Sequence, residues 1–258
     1  MREENMKFET KAIHAGVQPD EATGAIMTPI YQTTTYAQPR PGENKGYEYS
    51  RTLNPTRHAL EKNLAALENG KHGLAFGSGL AAIDACMRLL NPGDEVISTN
   101  DLYGGTYRQF TKVHARYGIK FRFAGMQHAA AIEPLISANT KMLWVETPTN
   151  PMMNIIDIQA VAKIAKTHKI LLAVDNTFAS SYLQQPLTLG ADIVMHSATK
   201  YLAGHSDVVL GALVALIAVG LLSCFGKSLN LQTMIPFGPA LITATIIIYF
   251  NPDILLLT

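Results

Sequence analysis

The sequence predicts an α/β domain built on a mainly parallel sheet. Three observations carry that reading. From residue 72 onward, short apolar runs alternate with helical patterns, as in successive βα units. Several runs, such as ILLAV at 170–174, are continuously apolar, as strands buried on both faces are. Polar, chemistry-bearing residues gather just after the runs end, where open α/β sheets bind ligands.

The elements follow in order. Residues 1–55 contain Pro and Thr, show little periodicity and read as an N-terminal arm. The first good helix opens with Asn54 as N-cap and Pro55 at its first position. Leu60, Leu64 and Leu67 form its apolar stripe, and Gly70 stops it. Then come a strand at 72–76, a helix at 80–90, a strand at 95–99 and a helix at 104–117. A strand at 120–124, a helix at 129–138 and a strand at 142–146 follow, then a helix at 157–168 and strands at 170–175 and 192–196. The domain reading is an arm (1–55), an α/β domain (56–214) and an apolar tail (215–258).

Composition sets bounds. A chain of 258 residues can bury a large core in one main domain. A net charge of +1 gives no argument for nucleic acid. Cys86 and Cys224 offer no disulfide framework, and the eight histidines lack paired ligand spacing, so no metal centre is predicted. Residues 1–11 are polar and charged rather than a signal peptide, so a cytoplasmic chain is the expectation.

The densest chemistry lies in ILLAVDNTFASSYLQQPLTLGADIVMHSATK, residues 170–200. Asp175 ends one apolar run, and Ser197, Thr199 and Lys200 follow the next. Taken singly, an Asp at a strand end is a turn or cap residue, and a lone Lys is a solvated charge. Together they supply a carboxylate for a pyridinium nitrogen, hydroxyls for a phosphate and an amine for a Schiff base, the fixtures that pyridoxal phosphate (PLP) requires. Upstream, Gly77-Ser78-Gly79-Leu80 links an apolar run to a helical pattern, and a helix N-terminus there favours a phosphate. Tyr103, in DLYGGTY, follows the 95–99 strand; taken alone it is a core aromatic. Asn150, in ETPTNP, sits between two prolines that imply a rigid loop.

VDNTFASSYLQQPLTLGADIVMHSATKYLAGHSDVV, with the GSGL, DLYGGTY, ETPTNP and YEYSRTLNPTR motifs in order, resembles the Cys/Met-metabolism family of PLP-dependent enzymes. The resemblance runs from Phe8 to Val214. It implies an aspartate-aminotransferase-like (fold type I) large domain with a mainly parallel mixed sheet, and a cystathionine γ-synthase, γ-lyase or β-lyase type of activity on a small amino-acid substrate. It implies that Lys200 holds the cofactor and shuttles protons, and that Asp175 pairs with the ring nitrogen. Lys200 must be neutral to attack an aldehyde, and burial beside a positive ring would favour that form. It further implies that Gly79 and Leu80 (backbone) with Ser197 and Thr199 (side chains) hold the phosphate. Tyr103 would stack on the ring and share in catalysis, and Asn150 would face the phenolic oxygen. Tyr49 and Arg51 would reach the phosphate of a neighbouring copy, which implies a homo-oligomer, a dimer or tetramer. Leu53 stands where the family often has Gly.

The C-terminus departs from the resemblance. Residues 208–226 and 228–251 are uncharged stretches, long enough to be formal membrane-span candidates. The first is Gly-rich and overlaps a family strand at 211–214; the second carries Pro236 and Pro239. The resemblance would instead continue into a charged helix and a small C-terminal domain, whose arginine clamps the substrate carboxylate. The expectation is therefore a chain that keeps the cofactor constellation but is impaired in turnover, or a non-catalytic PLP-binding remnant.

Overall fold

The computed structural model describes residues 6–216. Residues 217–258, most of the apolar tail, lie outside the described residues, as does the second membrane-span candidate (228–251); of the first candidate (208–226), Gly211–Ala215 form a sheet strand. The described residues divide into two compact units, residues 6–28 with 59–216 and residues 29–58.

The first unit holds a seven-stranded sheet. Its strands are β1 (His72–Phe76), β2 (Glu95–Thr99), β3 (Lys120–Ala124), β4 (Thr140–Glu146), β5 (Leu171–Asp175), β6 (Ile193–His196) and β7 (Gly211–Ala215). The spatial order is β1-β7-β6-β5-β4-β2-β3. β7 runs antiparallel to both β1 and β6, and the remaining pairs are parallel. This is the mainly parallel mixed sheet of the large domain expected from sequence. The strands β2 and β5 are buried at every position, which explains the apolar run of β5 up to Asp175; in β2 the polar Glu95, Ser98 and Thr99 are buried beside Val96 and Ile97.

Helices cover the sheet. They are α1 (Phe8–His14), α2 (Pro55–Leu67), α3 (Gly79–Met87), α4 (Gly104–Arg108), α5 (Ile158–His168) and α6 (Ser180–Leu183). Asp157 caps α5 by accepting the Ala160 N–H, and Val161, Ala162 and Ala165 bury its inner face against Leu143, Leu172 and Val174. Phe110 stacks on Phe121 at 4.6 Å and meets Trp144 edge-on at 5.6 Å.

Five details differ from the sequence reading. The arm contains a helix, α1, whose backbone is held by the Asn63 amide donating to Lys11 O and Ala15 O. Residues 104–117 are three helical registers in succession: α4, a π segment (Gln109–Val113) and a 3-10 turn (His114–Tyr117). Residues 129–138 hold two short 3-10 turns instead of a helix. Pro134 lacks an N–H and disfavours helical backbone before it. Finally, α2 is stopped by Asn69 at φ 54°, while Gly70 is needed for space, since a Cβ there would lie 2.3 Å from Val214. Leu64 and Leu67 of the α2 stripe are buried and Leu60 is exposed.

In the second unit, Thr35 pairs with Tyr49, and the Asn54 side chain donates to Tyr31 O while its Oδ1 accepts the Thr56 N–H. Asn54 is thus the α2 cap expected from sequence. Leu53 does not have a positive φ, so no glycine is required there.

Candidate active site

The ends of β4, β5 and β6 open into one cavity of about 900 Å³ in the first unit. Eight of the sequence-predicted residues line it: Gly79, Leu80, Tyr103, Asn150, Asp175, Ser197, Thr199 and Lys200. Tyr49 and Arg51 lie in the second unit, where Arg51 Nη2 donates to the Tyr49 hydroxyl at 2.7 Å and the guanidinium sits 5.0 Å from the ring centre.

Asp175 is buried at the end of β5. Its Oδ1 accepts the Thr177 N–H at 3.0 Å and the Thr177 hydroxyl at 2.5 Å. Oδ2 accepts no hydrogen bond among the described residues. Burial pushes the carboxyl up, while the two Thr177 bonds and then the nearby His196 pull it back. Behind it, His196 Nε2 lies 2.6 Å from Glu68 Oε1, which also accepts from Asn176 Nδ2 and the Ser181 hydroxyl.

The phosphate end is built by α3. Ser78 caps this helix by accepting the Ala81 N–H at 3.1 Å. The Gly79 and Leu80 N–H groups donate to nothing among the described residues, which leaves two oriented donors at a helix N-terminus. Gly79 is required by close packing, since a Cβ there would lie 2.8 Å from Ser197 Cβ. The Thr199 hydroxyl lies 3.2 Å from Leu210 O and accepts the Leu210 N–H at 2.9 Å. Donating to a phosphate would mean turning its proton away from Leu210 O.

Lys200 is exposed in the cavity rather than buried as expected, and its Nζ has no hydrogen-bond or ion-pair partner among the described residues. Tyr103 packs its ring over Gly105, where a Cβ would meet a ring carbon at 2.2 Å. Asn150 lies between cis Thr147–Pro148 and Asn150–Pro151 bonds in a loop tied down by Asp101. Asp101 Oδ2 accepts from the Thr149 hydroxyl and from the Met152 N–H at 3.1 Å.

Two cavity residues carry no sequence-based role. Thr177 connects both ends of the site, because its hydroxyl donates to Asp175 and accepts the Ser197 N–H at 2.8 Å. Glu146 ends β4 in register with Asp175 and accepts the Tyr103 N–H at 2.9 Å. Burial, then the negative charges of Asp175 and Asp101, push its carboxyl up to about 8 against the pull of the Tyr103 and Asn150 amides. The signal in the sequence was a second carboxylate closing an apolar run, as Asp175 does.

These features fit PLP. A buried carboxylate that lines the cavity, with one oxygen accepting no hydrogen bond among the described residues, suits a protonated ring nitrogen, and unpaired amides at a helix N-terminus suit a phosphate. An unpaired amine in the same cavity suits the aldehyde. A family model for Cys/Met metabolism PLP-dependent enzymes matches residues 9–220. The chain belongs to this family. Its cofactor is PLP.

Similarity to individual family members is high. A cystathionine gamma-lyase of Bacillus subtilis is 56% identical over 209 residues, covering 81% of this chain and 55% of that protein. A probable cystathionine gamma-synthase of Herpetosiphon aurantiacus is 54% identical, covering 80% of this chain and 65% of that one. The crystal structure of metB from Corynebacterium glutamicum superposes with a TM-score of 0.82 at 50% identity, covering 84% of this chain and 57% of that one. The chain thus spans somewhat more than half the length of the relatives it matches.

Proposed function

We propose that this family member acts in transsulfuration as a cystathionine γ-synthase-like enzyme, replacing the γ-acyloxy group of an O-acylhomoserine with the thiol of cysteine. The Cγ–O bond breaks, a Cγ–S bond forms, and the acid leaves with the ester oxygen. The observation that carries the reading is the single cavity joining Lys200, Asp175 and the Gly79 and Leu80 amides. A γ-lyase reading stands beside it, favoured by the γ-lyase among the similar relatives; β-lyase and O-acylhomoserine sulfhydrylase chemistry share the same cofactor fixtures.

When bound, PLP supplies an electron sink for a carbanion next to the amino-acid nitrogen. Lys200 Nζ would hold the cofactor, and as the one side-chain amine among the described residues lining the cavity it would take the substrate α-proton and return protons later. Asp175 would pair with the ring N–H, and Thr177 fixes its Oδ1. The Gly79 and Leu80 amides with the Ser197 and Thr199 hydroxyls hold the phosphate. The Tyr103 ring and the Asn150 amide orient the cofactor. Tyr49 and Arg51 serve the phosphate of a partner copy in a homo-oligomer.

The visible spectrum of the purified chain with PLP tests this reading, with Lys200→Ala as control. The expected result is a cofactor band that depends on Lys200 and changes when substrate is added. Products then separate the activities. O-acylhomoserine with cysteine gives cystathionine in the synthase reading. With water, L-cystathionine gives cysteine, a four-carbon 2-oxo acid and ammonia in a γ-lyase, or homocysteine, pyruvate and ammonia in a β-lyase. A Lys200-dependent band with no turnover of either substrate would leave a PLP-binding chain without the proposed activity. No such band would overturn the site assignment.

A further inference from the structure

Glu146 and Asp175 end adjacent parallel strands as register partners, and both line the cavity. Each is only 5% exposed, and neither carboxyl has a Lys or Arg ion-pair partner among the described residues. Two adjacent buried carboxyls without a cation cannot both ionise readily. Their surroundings divide the roles. Asp175 receives both Thr177 donors and faces His196 on β6, so it is the better-stabilised anion. Glu146 faces Asp175 on β5 and Asp101 in the loop after β2, both negative, and accepts the Tyr103 N–H. Lys200 is in the same cavity, on the loop after β6, without an ion pair among the described residues.

We propose that Glu146 is a proton-bearing positioning residue: its neutral carboxyl anchors the loop carrying Tyr103, and it leaves Asp175 as the only anion offered to the cofactor's ring nitrogen. This deepens the reading of the cavity as the PLP site and rests on it. The anchor is geometric, the 2.9 Å bond from the Tyr103 N–H to Glu146 Oε2. The proton follows from burial and the neighbouring negative charges, which push this carboxyl up to about 8.

Trp144 is the chain's single tryptophan, fully buried two residues before Glu146 on β4. Residues two apart on a strand share a face, so its fluorescence reports on this carboxyl and on cofactor arrival. In the chain without PLP, a fluorescence titration should show a transition near pH 8, the point to which the carboxyl is pushed, and Glu146→Gln should abolish it. At pH 7, Glu146→Gln is neutral and still accepts the Tyr103 N–H, so its PLP affinity should stay within about threefold of the unsubstituted chain. Glu146→Ala removes the acceptor and should weaken PLP by about tenfold.

A transition that survives in Glu146→Gln would overturn the proposal, as would Glu146→Gln binding PLP as weakly as Glu146→Ala. If even the unsubstituted chain fails to bind PLP, the cofactor assignment fails and takes the anchoring role with it. The titration of the cofactor-less chain would still decide the protonation of Glu146.

Discussion

Single side chains set the acid–base behaviour of the site. Asp175 and Lys200 were legible in the sequence because each follows an apolar run, in the order a βα sheet demands. Glu68 was not, because its partner His196 is 128 residues away and only folding joins them. Burial raises both Glu146 and Asp175, so the folded chain keeps protons that the unfolded chain surrenders near its ordinary carboxyl range, about pH 4. Across that window the folded state binds more protons, and stability falls as pH rises. Asp84 and Glu95 act oppositely. Against the push of burial, the His114 imidazole 3.3 Å away and the bonded Arg88 guanidinium hold Asp84 down, and bonds from Thr140, Arg122 and Ser137 hold Glu95 down. Their stabilisation is present above about pH 4 and is lost on acidification. Without PLP, the urea midpoint should therefore peak at about pH 5 and decline toward about pH 9, with a shallower decline in Glu146→Gln. A midpoint that climbs through that range would contradict the raised carboxyls.

At the scale of elements, strands were read more faithfully than helical segments. Buried parallel strands print an unbroken apolar run, whereas the π and 3-10 registers at 109–117 share the apolar spacing of an ordinary helix. Glycine roles were also only half visible. The GSG turn stood out in the sequence, but contact geometry distinguishes its members. A Cβ on Gly77 would meet nothing within 4 Å, while one on Gly79 would press on Ser197. Gly211 of β7 is tighter still, since a Cβ there would lie 2.1 Å from Ser78 O, under the turn that presents the Gly79 and Leu80 amides. Gly211→Ala should thus cost about 2 kcal/mol or more, because backbone rather than a flexible side chain must move. Gly77→Ala should fall within about 0.5 kcal/mol of the unsubstituted chain. Urea unfolding of the two variants side by side checks this, and equal midpoints would contradict the tight packing of β7 beneath the α3 turn.

For the whole molecule, the family motifs divide between the two units. Lys200, Asp175 and the α3 amides belong to the sheet-bearing unit, while Tyr49 and Arg51 belong to the other and pair with each other. No single-chain pattern could reveal whether Arg51 serves its own copy or a neighbour, because hydrophobic periodicity specifies a fold and not an assembly. Arg is well suited to a bidentate grip on a phosphate, and in a two-fold dimer each copy can lend that grip to the other. The assignment to a partner copy has a sharp consequence. A dimer of one Arg51→Ala chain and one Lys200→Ala chain contains one site with both residues intact and one site lacking both. Refolding the two variants together in equal amounts should make half the dimers mixed, restoring about a quarter of the native sites. The Lys200-dependent PLP band, read at limiting PLP, should recover to that level above the mean of the separate variants. If Arg51 acts on the phosphate of its own chain, every site in the mixture lacks one residue and no recovery occurs. The same absence would follow if the chain stays monomeric, and sedimentation of the mixture distinguishes the two, since either result removes the partner-copy role of Arg51.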